Sequence, residues 1–318
     1  MTALDRGAAP VAAALRCPRC LGRLGVTDRA CTCVECGTAY PVVRGVPVLV
    51  DAATSLFDPA EIAVATSSFV AHSRLRRLVP ELSVNLAARR NYTRLRELLR
   101  ADGLPATVLV VGGGDGGAGI AALGGDGITL VTSDIQLGGA TDLVADAHRL
   151  PFADGTFDAV VAQAVLEHVV DPWRCVEELH RVLRPDGLVY AETPFMQQVH
   201  MAPYDFTRFT PLGHRRLFRR FAELDTGAAV GAGSALAWSL AYFVAGFGRS
   251  PRSRRLLYAA GCVLFAWVRN FDRVLRTDAA LDAAAGCYFL GRRSERVLSD
   301  RELITRYRGG VDVGGERS

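Results

Sequence analysis

The stretch TVLVVGGGDGGAGIAAL, residues 107–123, decides the fold. Val108 to Val111 make a short buried strand, the glycines at 112, 114 and 116 form a tight turn, and AGIAAL reads as the start of a helix. Positions without side chains in such a turn let a ligand press against the backbone at a helix N-terminus. Upstream, residues 58–101 read as helical, with apolar positions at helical spacing in NYTRLRELLRADG and Gly103 as a stop signal. Downstream, ITLVTSD is a second strand ending on Asp134, about 20 residues beyond the glycines. Gly112, Gly114 and Gly117 also satisfy G-x-G-x-x-G, with Asp134 where a dinucleotide fold keeps its ribose-binding acid, so a nicotinamide-dependent oxidoreductase is one reading.

The next segment separates the readings. DLVADAHRLPFADGTFDAVVAQAVLEHV holds a third strand ending at Asp146, a turn through Leu150-Pro151-Phe152 and a fourth strand from Phe157 to Ala162. DPWRCVEELHRVLRPDGLVYAETP adds an amphipathic helix, a Pro-Asp-Gly turn and a fifth strand. Over roughly residues 105–222 this order of motifs resembles the class I S-adenosylmethionine-dependent methyltransferases, especially the type 11 group. The resemblance implies an α/β, Rossmann-like sheet with helices on both faces. It assigns Gly112, Gly114 and Gly116 to the methionine and adenosine end of the cofactor, Asp134 to both ribose hydroxyls, Asp146 with Ala147 to the adenine amino group, and Gln163 to the methionine side. That family usually has an acid on the first strand where this chain has Val110.

Beyond the fifth strand, TPFMQQVHMAPYDFTRFTPLGHRRLF is rich in polar and aromatic residues. It resembles a type 11 pattern matched by His200, Pro203, Asp205, Phe206, Arg208, Phe209 and Thr210. Methyl transfer from a sulfonium needs mainly alignment, whereas a neutral hydroxyl acceptor must also lose a proton. His200 is the expected general base, with Asp205 or His168 as aids. The alternative is that Asp205 and Arg208 merely brace this loop. Asp158 is expected to brace the fourth strand, and His180, Cys175, Cys262 and Cys287 to be packing residues.

Toward the N-terminus, RCPRCLGRLGVTDRACTCVECGTAYPVVRGVPVLV, residues 16–50, gathers five of the eight cysteines. Cys17-Pro18-Arg19-Cys20 and Cys33-Val34-Glu35-Cys36 are two C-x-x-C knuckles, each aiming two thiolates at one point, and together they complete a tetrahedral S₄ shell suited to a structural Zn²⁺. Cys31 offers an alternative ligand, but Cys33 restores the C-x-x-C spacing. Leu15 to Val50 resembles the short zinc ribbons typified by Trm112-like proteins. In that family the ribbon stabilises a methyltransferase, so this one is expected to dock on the enzyme that follows it.

Composition agrees with a globular chain. Of 318 residues half are apolar and 22% charged, the net charge is +4, and all 37 basic residues are arginine without one long run, so no nucleic-acid footprint is expected. MTALDRGAAPVAAAL lacks the pattern of a secretion signal, and a cytoplasmic location is expected. From Gly227, 22 uncharged residues precede RSPRSRR and a shorter apolar run, which reads as helices buried over an acceptor cleft, or as peripheral membrane contact through residues 227–268. Residues after Ser294 read as a loose terminus. The expected organisation is a zinc ribbon over 1–57, a cofactor-binding domain with N-terminal helices over 58–225, and an apolar helical extension over 226–318. The expected function is S-adenosylmethionine-dependent methylation, by preference O-methylation, of a small-molecule or glycan- or lipid-like acceptor. A methyltransferase-like partner subunit without catalysis is the non-enzyme alternative.

Overall fold

The computed structural model describes residues 9–64, 79–114, 117, 119–275 and 277–310. Eleven strands are found among them: β1 (Leu24–Val26), β2 (Ala30–Cys33), β3 (Ala39–Val43), β4 (Val46–Leu49), β5 (Ala106–Val111), β6 (Ile128–Asp134), β7 (Leu143–Ala145), β8 (Phe157–Gln163), β9 (Leu183–Pro194), β10 (Phe221–Val230) and β11 (Gly286–Arg293). They join in one sheet of order β1-β2-β3-β4-β7-β6-β5-β8-β9-β11-β10. Its centre, β7-β6-β5-β8-β9, is parallel, while β11 runs antiparallel between β9 and β10. Strand order therefore reverses between β5 and β8, and that switch point opens a crevice at the C-terminal ends of the strands.

Apolar continuity explains the centre of the sheet. Val108, Leu109 and Val110 of β5 and Ala159, Val160 and Val161 of β8 are buried on both faces, as parallel strands covered by helices require. One face packs against helix Ala88–Asp102 through Tyr92, Leu95 and Leu99. The other packs against helix Pro172–Val182 through Cys175, Val176 and Leu179. That helix starts on an Asp171 cap whose carboxylate accepts from the Arg174 N–H, with Pro172 at its first position. Asp158 accepts from the Thr107 N–H at 2.7 Å and from Arg184 at 2.6 Å, which braces β8 as expected.

The cysteine module is continuous with this sheet. Its β4 pairs in parallel with β7, Val48 opposite Val144 and Leu49 opposite Ala145. Cys17, Cys31 and Cys33 belong to the same buried cluster as Leu109, Phe152 and Phe157. Polar ties reinforce the seam: Arg149 donates to the Arg19 carbonyl at 3.1 Å, and Ser55 to Asp146 at 2.6 Å.

Several expectations need correction. The segment 58–101, expected to be helical, holds helices Pro59–Val64 and Ala88–Asp102; residues 65–78 lie outside the described residues, and 79–87 are not helical. The helix expected after the glycine turn is a single 3₁₀ turn, Ile120–Ala122, because Gly124, Gly125 and Gly127 interrupt it and two of them take left-handed backbone. The boundary expected at 225/226 falls inside β10, and the tail returns to the sheet as β11. Of the residues expected to be loose beyond Ser294, 295–310 are described and are anchored: Ser299 and Glu302 form a capping box for helix Asp300–Thr305, and Leu298 and Leu303 are buried.

The tail helices Ala232–Ala245 and Pro251–Phe265 pack on each other, with Gly261 in close approach to Ala241. They are not the buried helices expected. Phe243, Phe247, Leu256, Val263, Leu264 and Trp267 are each at least 60% exposed. Among the described residues no helix is long and apolar enough to cross a membrane.

Candidate active site

Each central strand delivers its last residues to the crevice. A cavity of about 660 Å³ opens there, lined by Val111 and Gly112 after β5, Asp134 to Gln136 after β6, Ala145 to Arg149 after β7, and Ala164, Val165 and His168 after β8. Thr54, Leu56 and Phe57, which lead out of the cysteine module, close another wall, and Met201 and Tyr204 contribute from the loop beyond β9. Sequence reasoning missed Thr54 to Phe57. The signal that could have found them is the parallel pairing of β4 with β7, which carries the chain leaving β4 across the mouth.

The glycine turn is packed too closely against neighbouring side chains to hold a Cβ. Gly112 has φ +72°, and a Cβ there would fall 2.2 Å from Val165 Cγ2. The Gly114 N–H donates to Asp134 Oδ2 at 3.0 Å, and a Cβ on Gly114 would meet that oxygen at 2.9 Å. Asp134 thus turns the β5 loop while its other oxygen accepts from the Gln136 N–H at 2.9 Å. Gly116 lies outside the described residues. Gly117 lines the cavity instead, with its own absent Cβ within 2.5 Å of Gln163 Oε1.

Asp146 stands at the third strand end, engaged by Ser55 and by both the N–H and the ring Nδ1 of His148. Burial opposes its charge, and those donors hold its carboxyl below the usual range. Ala147 beside it lines the cavity. Gln163 lies behind the wall: its Oε1 accepts from Tyr92 at 3.2 Å and its Nε2 donates to Glu192 at 2.9 Å. Val110, where the family usually has an acid, is simply core.

The residues expected to be catalytic divide into two groups. Asp205 does not reach the cavity. Its carboxylate accepts from the His200 N–H at 2.7 Å and is clamped by both Nη atoms of Arg208. Against burial, that clamp holds its pKa below normal, and the residue is a brace that positions His200. His168 lines the cavity, and His200 stands behind it with ring centroids 4.8 Å apart. Between them lies Glu167, fully buried, its Oε1 3.7 Å from His168 Nε2 and 3.8 Å from His200 Nε2. The Glu167 carboxylate raises the pKa of His200 despite burial of the ring.

At the other end of the protein, the four sulfurs of Cys17, Cys20, Cys33 and Cys36 converge within 4.8 Å of one another. Cys17–Cys36 and Cys20–Cys33 are separated by 3.7 and 3.5 Å, against an edge of about 3.8 Å for tetrahedral zinc–thiolate geometry. Cys31 is buried apart from this group, and burial raises its pKa to about 11.

Residues 111–191 match the family model described as Methyltransferase domain. An uncharacterized methyltransferase of Mycobacterium sp. (strain JLS) is 41% identical over 91 residues, 26% of this chain and 36% of that protein. The demethylmenaquinone methyltransferase of Mycolicibacterium vanbaalenii is 42% identical over 73 residues, 20% of this chain and 32% of that protein. The chain thus spans about a third of the length of these relatives. Among solved structures, the Burkholderia thailandensis 1,6-didemethyltoxoflavin-N1-methyltransferase is 16% identical, covering 82% of this chain and 98% of that one at a TM-score of 0.40. The doubly wound strand order suits the family match, in which residues 111–191 resemble a methyltransferase domain.

Proposed function

We propose that the chain catalyses transfer of a methyl group from S-adenosylmethionine to a small acceptor, with an oxygen as the preferred methylated atom. One observation carries this reading: four residues chosen for the cofactor from sequence, Gly112, Asp134, Asp146 and Ala147, line one cavity at the switch point of the sheet. When bound, S-adenosylmethionine supplies a methyl on a positively charged sulfur that is already a good leaving group. Gly112, Gly114 and Gly117 leave the backbone open to its methionine end, Asp134 accepts from its ribose hydroxyls, and Ala147 meets its adenine. His168 marks the acceptor end, and an acceptor hydroxyl loses its proton toward the Glu167, His168 and His200 cluster, where His200 was the expected base.

The acceptor class supported best is an apolar or lipid-like molecule bearing a hydroxyl. Helix Ala232–Ala245 backs the His200 loop: Ser239 accepts from Gln198 at 2.8 Å and Tyr242 donates to the Val199 carbonyl at 3.3 Å. From Gly227 to Phe271 the chain carries five arginines and no carboxylate, and the helices expose apolar side chains, which supports peripheral contact with an anionic lipid surface. The Cys17, Cys20, Cys33, Cys36 cluster is assigned a structural zinc. Incubation with methyl-labelled S-adenosylmethionine and a panel of hydroxylated lipid-like acceptors tests the reading. Label in an acceptor supports it, and S-adenosylhomocysteine binding without turnover on any acceptor class favours the non-catalytic partner subunit.

A further inference from the structure

The buried carboxylate between two imidazoles needs a cation. Glu167 is fully buried, and neither of its oxygens has a hydrogen-bond partner among the described residues. A lone buried carboxylate is one of the most costly arrangements in a protein interior unless it is paired or ligates a metal. His168 Nε2 and His200 Nε2 face it from 3.7 and 3.8 Å, too far for a hydrogen bond. His168 Nδ1 lies 2.5 Å from the Tyr204 carbonyl, so the hydrogen sits on Nδ1 and the Nε2 lone pair faces Glu167. His200 repeats the pattern: its Nδ1 is 3.3 Å from the Gln198 carbonyl and 3.7 Å from Asp205 Oδ2, both acceptors. Arg208 Nη2 also lies 3.4 Å from that Nδ1, but it is already engaged by the Gln198 carbonyl and Asp205. Both Nε2 atoms therefore face one carboxylate, and the three residues each offer one ligand atom within 4.8 Å of the others.

Two imidazole nitrogens and a carboxylate converging on one point are a ligand set. We propose that Glu167 Oε, His168 Nε2 and His200 Nε2 bind one divalent first-row transition metal ion at the wall of the cavity. Two imidazoles and one carboxylate suit Zn²⁺, Fe²⁺ or Mn²⁺ rather than Mg²⁺ or Ca²⁺, which take oxygen ligands. The backbone carbonyls on both Nδ1 atoms are the outer partners that fix the tautomer of a ligating histidine. Because only three protein ligands converge, a coordination position is left toward the cavity that His168 lines. This deepens the proposed function and rests on it for one point, the occupant of that position: an acceptor hydroxyl oxygen, acidified by the ion and losing its proton to water, with His200 acting as ligand rather than base.

Metal content tests the site directly. Full-length protein equilibrated with zinc and freed of excess by gel filtration should carry two zinc ions per chain, and Glu167→Gln should carry one. Cys33→Ser should likewise lose only one. Manganese followed by its electron paramagnetic resonance should bind the wild type saturably at one site and bind Glu167→Gln at least tenfold more weakly. His200→Gln serves as the second variant if Glu167→Gln does not fold. Titration with S-adenosylhomocysteine, expected to be unchanged in Glu167→Gln, separates the two readings: a second metal without S-adenosylhomocysteine binding keeps the site and removes the methyltransferase assignment. A single zinc per chain that Glu167→Gln leaves in place, with no saturable manganese site, overturns the proposal.

Discussion

Two clusters of ligand-type side chains are present among the described residues, and they were assembled in opposite ways. Cys17, Cys20, Cys33 and Cys36 come from two knuckles within 20 residues, each set by a local turn. Glu167, His168 and His200 come from loops after different strands, and only the parallel pairing of β8 with β9 brings those loops together. The first cluster belongs to a small module whose Cys17 and Cys33 are buried together with residues of the central sheet. The second sits where a complete core already exists, so what it binds has consequences for chemistry rather than for folding. A ligand set held by local geometry supports structure; one held by tertiary geometry at a strand end points to function.

The largest effect that can break this contrast lies in the cysteine module. Cys33→Ser removes one of four thiolates from a site fused through β4 to the central sheet, so loss of its metal should lower the melting temperature of the whole chain by ten degrees or more, corresponding to several kcal/mol. Cys31→Ser should keep the metal, because Cys31 stands outside the sulfur cluster. A melting temperature in Cys33→Ser equal to wild type would show that the seam with β7 carries no zinc-dependent stability.

The next effect belongs to the cofactor. Asp134→Ala removes the assigned acceptor for two hydroxyls and the partner of the Gly114 N–H, and it should weaken S-adenosylhomocysteine binding by about 2–3 kcal/mol in calorimetry. Unchanged affinity would move the ribose elsewhere. Gly114→Ala places a methyl 2.9 Å from Asp134 Oδ2 and should weaken binding about tenfold, with the fold intact by circular dichroism.

How much of this was legible follows from the range of each signal. The glycine turn, the strand-end acids and the C-x-x-C knuckles are short-range patterns; Gly112, Asp134 and Asp146 line one cavity, and the four cysteine sulfurs converge. Cavity residues Thr54 to Phe57 were invisible because they depend on β4 joining a parallel edge far along the chain. The tail was misread for the same reason: β11 returns to pair between β9 and β10, and no local pattern in GCYFLGRR announces its partners. Asp205 carried a motif, but its carboxylate is taken up by Arg208 and the His200 backbone, so the motif marks a brace. Glu167 carried no motif at all; its meaning comes only from burial.

A smaller effect concerns a histidine outside both clusters. His214 is buried with an unpartnered Nε2, and burial pushes its pKa down to about 3. It is neutral in the folded chain and free to charge once unfolded. Stability should therefore be unaffected by this residue above about pH 6.5 and fall as pH drops from there toward 3, by at most about 1.4 kcal/mol per pH unit. His214→Gln should flatten that slope in denaturant titrations at pH 5 relative to pH 7.5; an unchanged slope would mean the ring finds a partner on protonation.

Calorimetric titration of the full-length protein with S-adenosylhomocysteine, and in parallel with NADH, tests the central claim most directly. The cavity at the β5–β8 switch point, with its glycine turn and the acid at the end of β6, should bind one S-adenosylhomocysteine per chain and no NADH. Saturable binding of NADH with none of S-adenosylhomocysteine would contradict it.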